Sequence, residues 1–421
     1  MNAWNSTVRS VFGRWWGAGL WVLPMALMVG TAGAFFLWSL EGVTRLRFAE
    51  PRLLFLLPLV GMAVAWLYER YGGEAGRGSD LILDRIEQGG MLPRRMAPLV
   101  LVGTLATHLC GGAAGREGTA LQMGAGLAAL MARALRVEGD GLRLLWMTGM
   151  AAGFGAVFGT PIAAALFAVE VAVVGRPKWR ALPVCWMAAW LANQTCLAWG
   201  AEHERYAIGA PATGWNPVVV GKMLLAGLCF GVVGLLFVRA SRAVAAGIKV
   251  WVPRPLWRPA LGGLIVIGLY FLCGRADYLG LGLWSPDPAA GSLRSFLAGD
   301  AAQPWAWAWK FAFTLATLAC GFKGGEVTPL FFIGAALGNV LAGCLGLPTD
   351  WCSAAGLVAV FAATSKAPLA CCLMGIELFG IAHALPLALV CGVAFACSGK
   401  AGIYASQQWR IPVCGRWRGR A

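Results

Sequence analysis

Long apolar stretches without a formal charge are the feature that most limits how this chain can fold. Six of them hold roughly twenty residues or more, about the length that an α-helix needs to cross a bilayer. They are Gly17–Leu40, Met96–Gly115, Leu144–Val169, Ala181–Ala201, Val327–Thr349 and Leu378–Gly399. We therefore predict an all-α fold of a polytopic integral membrane protein whose surroundings are membrane lipid.

Four shorter uncharged runs are too short to span a bilayer comfortably. They are Gly118–Ala132, Met223–Val238, Pro259–Gly274 and Trp351–Ser365. We expect broken or tilted helices that end inside the membrane at these places. Such breaks survive only where protein or water satisfies the freed backbone groups, which is how transporters and channels build their sites.

Charge is scarce, and it sits beside the apolar runs. Only 13% of the 421 residues are charged, whereas a soluble domain averages about 25%. Basic residues outnumber acidic ones by 34 to 19, a balance that in a soluble protein would suggest nucleic acid. Because the basic residues flank apolar runs, the positive-inside rule explains them without a nucleic-acid partner. Arginines near both ends predict that both termini are cytoplasmic.

The chain contains an internal repeat. The segment Ala156–Val171 resembles Ala363–Leu378, and Gly115–Gly124 resembles Gly325–Gly334 in the same order and at nearly the same offset. Two matching pairs in one order indicate a duplication. Repeats in membrane transporters usually place the binding site at the interface between the two halves.

The repeat predicts five parts. They are an N-terminal segment at 1–16, a first membrane repeat at 17–201, a linker at 202–216, a second repeat at 217–404 and a short tail without a regulatory domain at 405–421. Glu170 and Glu377 occupy equivalent places in the two repeats. They either relay protons or are buried, hydrogen-bonded carboxylates that orient the repeats, and their symmetry favours the second role.

Glu117 lies in a glycine-rich interruption at membrane depth. The segment Gly111–Thr119 separates two apolar stretches and carries the ionisable pair Arg116 and Glu117. A helix beginning near Gly118 would direct unpaired N–H groups and a positive dipole end at this carboxylate, which is an arrangement that binds anions. An anion that displaced the carboxylate would leave it free to take up a proton. The alternative is a simple helix cap.

Two further glycine-rich entries to apolar stretches complete the pattern. In Gly321–Pro329 the proline suits the first turn of a helix, so the N–H groups of Glu326, Val327 and Thr328 are free to coordinate an anion. In the third entry Ser79, which follows Gly78, could supply a hydroxyl donor.

Taken in order, these residues resemble the CLC family of chloride channels and anion/proton exchangers. The resemblance rests on Gly115-Arg116-Glu117-Gly118, on Gly324–Pro329 and on Tyr404, and it runs from the first apolar stretch to Tyr404. It implies a CLC-type fold of two inverted repeats, a homodimer, and one path for a halide anion in each subunit. It also implies a bacterial inner-membrane location.

Two motifs are similar to the bacterial fluoride-exporting branch of that family: the run Gly115–Thr119 and the run Gly324–Gly334. Val171 stands where other members carry an inner proton-transferring glutamate. Ser79, however, stands where that branch usually has Met or Asn, so a chloride/proton exchanger or a passive chloride channel remains an alternative to a fluoride/proton antiporter.

The resemblance assigns roles to individual residues. Glu117 would be both gate and proton carrier. The anion path would be lined by Gly78, Ser79, Arg116, Gly118, Glu326, Val327, Thr328, Phe331, Phe332 and Tyr404. No metal or other cofactor is expected, and the absence of common hydrolase and metalloprotease motifs argues against an enzyme.

Overall fold

The structure is a computed structural model that describes residues 2–204, 206–209, 216–299 and 303–410, with side chains from Trp21 onward. Parts of the predicted linker and tail, residues 205, 210–215 and 411–421, therefore lie outside the described residues. Helices make up most of the described chain. The first half contains α1 Asn2–Ala49, α2 Leu57–Tyr71, α3 Ser79–Gln88, α4 Met96–Leu109, α5 Glu117–Ala134, α6 Asp140–Phe158, α7 Pro161–Glu170 and α8 Leu182–Ala198.

The second half repeats this order. It contains α9 Pro217–Trp251, α10 Arg258–Cys273, α11 Leu293–Ala298, α12 Ala306–Leu318, α13 Val327–Leu345, α14 Thr349–Ser365, α15 Pro368–Phe379 and α16 Ala384–Cys397. A two-stranded parallel sheet pairs β1 Val173–Val174 with β2 Gln408–Trp409 and so ties the end of the second half to the first.

The prediction of an all-α membrane protein is confirmed. Within the described residues, six helices are long and apolar enough to span a membrane. They are Trp21–Ala49, Pro51–Tyr71, Asp140–Phe158, Pro217–Trp251, Pro255–Cys273 and Val327–Leu345. Shorter apolar helices, such as α4, α7 and α15, accompany them, as expected for a fold with broken helices.

Several predicted boundaries were wrong in detail. The run Leu144–Val169 is two helices, because Gly159 adopts a left-handed conformation and Pro161 begins α7. The run Leu378–Gly399 is likewise interrupted at Gly380, whose φ is 102°. Conversely, Met223–Val238 is not a half-helix but the middle of α9, which continues through the basic residues that follow it.

Glycines let equivalent helices approach closely in both repeats. In the first half α5 and α6 meet at Gly124 and Gly149, where a Cβ on Gly124 would overlap the Gly149 carbonyl. In the second half α13 and α14 meet at Gly334 and Gly356 in the same way. Small residues at helix crossings are typical of membrane proteins, since they let backbones pack tightly without a hydrophobic driving force.

Candidate functional site

The two glycine-rich interruptions meet in space. Gly115 and Gly325 form an antiparallel bridge, with N···O distances of 2.6 Å from the Gly115 amide and 2.8 Å from the Gly325 amide. This bridge brings the N-terminus of α5 from the first repeat to the N-terminus of α13 from the second. Gly118 packs against the same point, and a Cβ there would lie 2.9 Å from the Gly325 Cα.

The Glu117 carboxylate is held by donors from both repeats. The Thr328 hydroxyl lies 2.8 Å from Oε1 and 2.6 Å from Oε2 of Glu117, and the Thr328 amide donates to Oε2 at 3.1 Å. The Arg116 amide donates to the same Oε2 at 3.2 Å. Because the side chain is fully buried, the carboxylate occupies a place where its negative charge is stabilised by N–H and O–H donors rather than by water.

The Arg116 guanidinium contributes a positive charge near this carboxylate. Its Nε lies 3.7 Å from Oε1 of Glu117, and only 10% of the Arg116 side chain is exposed. Arg116, Glu117 and Gly118, which the sequence predicted as site residues, thus lie together in one compact cluster. Thr328, which was predicted as a backbone donor, also contributes its side-chain hydroxyl.

Polar contacts that the sequence did not predict fix the loop that carries Glu117. The ring nitrogens of His108 lie 2.8 Å from the Thr104 carbonyl oxygen and 3.0 Å from that of Ala114. The hydroxyls of Thr104 and Thr119 are 2.6 Å apart. His108 therefore anchors the loop, and no group of three His, Cys, Asp or Glu side chains in the described part of the chain could hold a metal ion.

A cavity of about 140 Å³ lies beside Gly118, on the side of Ser79 and Tyr404. It is lined by Gly78, Ser79, Gly118, Glu326 and Tyr404, all of which were predicted site residues. The structure thus brings three separate parts of the chain to one space: the starts of α3, α5 and α13. The C-terminal segment that carries Tyr404 completes the lining.

The hydroxyls in this cavity are available to a ligand. The Tyr404 hydroxyl is buried and has no hydrogen-bond partner among the described residues. The Ser79 hydroxyl accepts only a long hydrogen bond, 3.5 Å from Nε2 of Gln122. A buried hydroxyl without a partner is costly, so an occupant of the cavity that accepts hydrogen bonds would stabilise it.

Lys323 adds a charge to the cavity wall that the sequence prediction did not single out. Its ammonium lies 4.2 Å from the centre of the Tyr68 ring and 3.5 Å from the Gly76 carbonyl oxygen. Its stem fills the space left by Gly103, where a Cβ would come within 2.9 Å of the Lys323 Cβ. The glycine-rich run around Lys323 was a signal that could have identified it.

Besides Arg116, Glu117 and Thr328, three predicted site residues lie outside the set that lines this cavity. Val327 is buried as the first residue of α13. Phe331 packs between Phe158 and Phe361, with ring centroids 5.3 and 5.4 Å away. Phe332 packs edge-to-face against Phe296 at 5.2 Å. Within the described residues, both rings therefore serve helix packing.

Glu170 and Glu377 make reciprocal contacts between the repeats. Glu170 ends α7 and accepts hydrogen bonds from the Leu369 and Ala370 amides at the start of α15, at 3.2 and 2.8 Å. Glu377 in α15 accepts from the Ile162 and Ala163 amides at the start of α7, at 3.0 and 2.7 Å. Each glutamate therefore caps a helix of the other repeat, which supports the structural role.

Tyr404 is positioned by a segment that touches both repeats. The Ile403 amide donates to the Thr364 carbonyl at 2.9 Å, and the Ser406 amide donates to Oδ1 of Asp80 at 3.0 Å. Nε2 of Gln407 donates to the Val171 carbonyl at 2.7 Å and to the Ser365 carbonyl at 2.8 Å. These contacts hold the tyrosine against the start of α3, where Ser79 lies.

The chain is similar to characterised families of membrane proteins. Residues 60–399 match the family model described as voltage gated chloride channel. A chloride/fluoride channel protein of Pseudomonas syringae pv. tomato is 41% identical over 387 residues, which cover 91% of this chain and 84% of that protein.

Solved structures agree with this similarity. A crystal structure of a CLC-type fluoride/proton antiporter has a TM-score of 0.89 and 34% identity, and covers 94% of this chain and 98% of that one. A slow cyanobacterial Cl−/H+ antiporter has a TM-score of 0.76 and covers 91% of this chain and 95% of its own, but at 21% identity it shares the fold alone.

Proposed function

Because the chain belongs to the voltage gated chloride channel family, we propose that it is a proton-coupled antiporter that exports fluoride. Family membership places it among proteins that move anions across membranes, and it confirms the resemblance to the CLC family. The choice of fluoride rests on the Gly115–Thr119 and Gly324–Gly334 motifs. The solved fluoride/proton antiporter of similar sequence supports the same choice.

The observation that carries the proposal is the position of the Glu117 carboxylate. It accepts hydrogen bonds from the Thr328 hydroxyl and from two backbone amides at the meeting point of two helix starts. These are the donors that a small anion would use in its place. A carboxylate displaced from these donors by an anion is free to take up a proton. Anion entry and proton uptake are thereby linked in one residue.

In this proposal, the cavity residues and Arg116 lie along the path on either side of Glu117, whereas two phenylalanines do not contact the anion. Gly78, Ser79, Glu326 and Tyr404 line the cavity next to Gly118, and this cavity is the inner entry for the anion. Arg116, on the other side of Glu117, supplies positive charge along the route. Phe331 and Phe332 hold α13 in position rather than contact the anion.

We test the proposal with purified protein in liposomes. Fluoride and chloride efflux are recorded with ion-selective electrodes, together with the pH inside the vesicles. The expected result is fluoride efflux faster than chloride efflux, with proton uptake proportional to it. Glu117→Gln keeps the side-chain shape but cannot cycle a proton at neutral pH, so proton uptake driven by an anion gradient should disappear.

Glu69→Gln is the matched control, because Glu69 is exposed near the end of α2 and does not line the cavity. Its coupling should equal that of the unmodified protein. Wild-type proton coupling in Glu117→Gln would remove Glu117 from the mechanism. Anion flux without proton movement in the unmodified protein would instead indicate a passive channel.

A chloride/proton exchanger is the second candidate, and Ser79 is the observation that favours it. Its hydroxyl lines the cavity where the fluoride-exporting branch usually has Met or Asn. Ser79→Met removes the donor and fills its space with a soft side chain. We expect the fluoride-to-chloride flux ratio to change several-fold, because selectivity is a difference between two affinities. An unchanged ratio in well-folded protein would leave selectivity to the Glu117 and Thr328 region.

A further inference from the structure

Two buried cations lie on either side of Gly280, in a region that the proposed transport path does not use. Lys310 in α12 is fully buried, and its ammonium donates to the Gly280 carbonyl at 2.7 Å and to the Tyr278 carbonyl at 3.1 Å. Arg47 near the end of α1 is 7% exposed. A Cβ on Gly280 would lie 3.5 Å from Nε of Arg47, so the guanidinium rests on this backbone.

Neither cation is neutralised by a carboxylate among the described residues. Lys310 is satisfied by carbonyl oxygens and by the Phe332 ring, whose centre is 5.2 Å from its ammonium. Arg47 makes no hydrogen bond within the described part of the chain, and its guanidinium carbon lies 4.1 Å from the centre of the Phe48 ring. Buried charges are normally paired because desolvation is costly. Among the described residues, Arg47 and Lys310 therefore lack the ion-pair partner that burial normally requires.

A small cavity lies beside Arg47. Its volume is about 20 Å³, enough for one ligand the size of a water molecule, since about 10–15 Å³ suffices for a water. Leu281, Gly282 and Leu283 line it, and their amides make no hydrogen bond within the described chain. Unused N–H groups and an unpaired guanidinium thus border one partly open cavity.

Two polar side chains of the lining already have hydrogen-bond partners. Asp277 lines it, but its Oδ2 accepts from Nε of Arg275 at 2.9 Å and from the Gly291 amide at 3.0 Å. Thr44 also lines it, and its hydroxyl donates to the Leu40 carbonyl at 2.7 Å. The donors without a partner in the described part of the chain are the Arg47 guanidinium and the three amides, and the ligand that fits them is an acceptor with negative charge.

We propose that this cavity binds one small inorganic anion, as a second anion site separate from the one at Glu117. The amides of Leu281, Gly282 and Leu283 and the Arg47 guanidinium would replace its hydration shell, and Lys310 would add a positive field across Gly280. The size of the cavity favours fluoride over larger halides. The Gly280 amide donates to the Gly111 carbonyl at 3.1 Å, so the site is bonded to the loop that leads to Glu117.

The test measures anion binding to purified protein by equilibrium dialysis and by thermal unfolding, with sodium fluoride and sodium chloride as probes. All variants carry Glu117→Gln, so that transport-linked exchange of the carboxylate does not contribute. Arg47→Met should weaken fluoride binding at one site at least tenfold, because it removes a charge-assisted donor. The stabilisation of the fold by fluoride should fall in parallel.

Arg45→Met is the matched control, since Arg45 is two residues away on α1 with 73% of its side chain exposed. It should bind fluoride like the parent protein. If Arg47→Met does not fold, Arg47→Lys keeps the charge and should bind fluoride severalfold more weakly than the parent. Equal fluoride binding in the parent and in the folded Arg47 variant would overturn the proposal, as would a parent protein that binds no anion there, which would mean that the cavity holds water only.

Discussion

The hydroxyl groups at the two ends of the proposed path differ in whether they already have hydrogen-bond partners. At Glu117 the Thr328 hydroxyl is fully used, because it donates to the carboxylate and accepts from the Arg116 amide at 3.3 Å. At the inner cavity the Tyr404 hydroxyl is buried without a partner among the described residues. The Thr328 hydroxyl therefore stabilises the Glu117 carboxylate in its present position, whereas the Tyr404 hydroxyl is available to an incoming anion.

Removing the Tyr404 hydroxyl should weaken anion binding without disturbing the fold. In Tyr404→Phe the ring keeps its edge-to-face contact with Phe167, whose centroid is 6.3 Å away. The lost group is a donor to a charged ligand, which contributes about 1.5–3 kcal/mol, so the dissociation constant should rise about tenfold or more. Isothermal titration with fluoride and with chloride measures this effect. Tyr71→Phe, at an exposed position, should leave both affinities unchanged, and equal affinities in Tyr404→Phe would show that the hydroxyl does not face the anion.

At the scale of helices, Glu170 and Glu377 join the two repeats, because each accepts hydrogen bonds from a helix start of the other repeat. Both α7 and α15 begin with a proline, so the amides that remain unpaired at each start are few, and a glutamate from the other repeat accepts two of them. The carboxylate at each helix start is also stabilised by the helix dipole. Each of these two short helices therefore depends on the other for an acceptor to the free amides at its start.

We expect Glu377→Gln to lower stability while leaving proton coupling intact. The amide accepts weaker hydrogen bonds than the carboxylate, so the loss should be about 1–3 kcal/mol and the melting temperature should fall by a few degrees. The transported proton-to-anion ratio in liposomes should match the unmodified protein. A variant that folds normally but moves anions without protons would show that Glu377 belongs to a proton relay.

The sequence predicted the site better than it predicted the helices around it. Ionisable residues within glycine-rich breaks identified Glu117 and the start of α13, because a charge at membrane depth needs partners. The criterion of uncharged runs failed at α9, since Arg239 and Arg242 lie near the membrane end of a helix that simply continues. It also missed Lys310, whose only signal was a single charge within an apolar stretch and whose carbonyl partners lie about thirty residues away along the chain.

For the whole molecule, one of several exposed apolar faces lies on α7, α8, α15 and α16. These helices contact one another in the order α8–α7–α15–α16. The large exposed side chains of this face, in or beside those helices, are Ile162, Trp186, Trp190, Leu369, Ile381 and Leu385. The resemblance to the CLC family implies a homodimer, and we propose this face as its contact because it is formed by the elements that hold the two repeats together.

Purified protein should therefore have twice the mass of one chain by light scattering in detergent. Leu385→Arg places a charge at a position that is 67% exposed in one chain, and it should shift the protein to monomers without loss of secondary structure. Leu59→Arg, at a position that is 64% exposed on α2, is the control and should remain dimeric. A dimer that persists in Leu385→Arg but not in Leu59→Arg would place the contact on the other side of the molecule.

The reciprocal contacts of Glu170 and Glu377 also bear on how such a chain could arise. Neither half completes its own helix starts, because the acceptor for α7 is encoded in the second half and the acceptor for α15 in the first. A gene for a single half would have produced a polypeptide with unmet amides in lipid, where water cannot replace the partner. Two copies facing each other in opposite orientations would have supplied each other. Each half of this chain therefore needs the other at its helix starts, and two co-expressed fragments divided in the linker should assemble and co-purify.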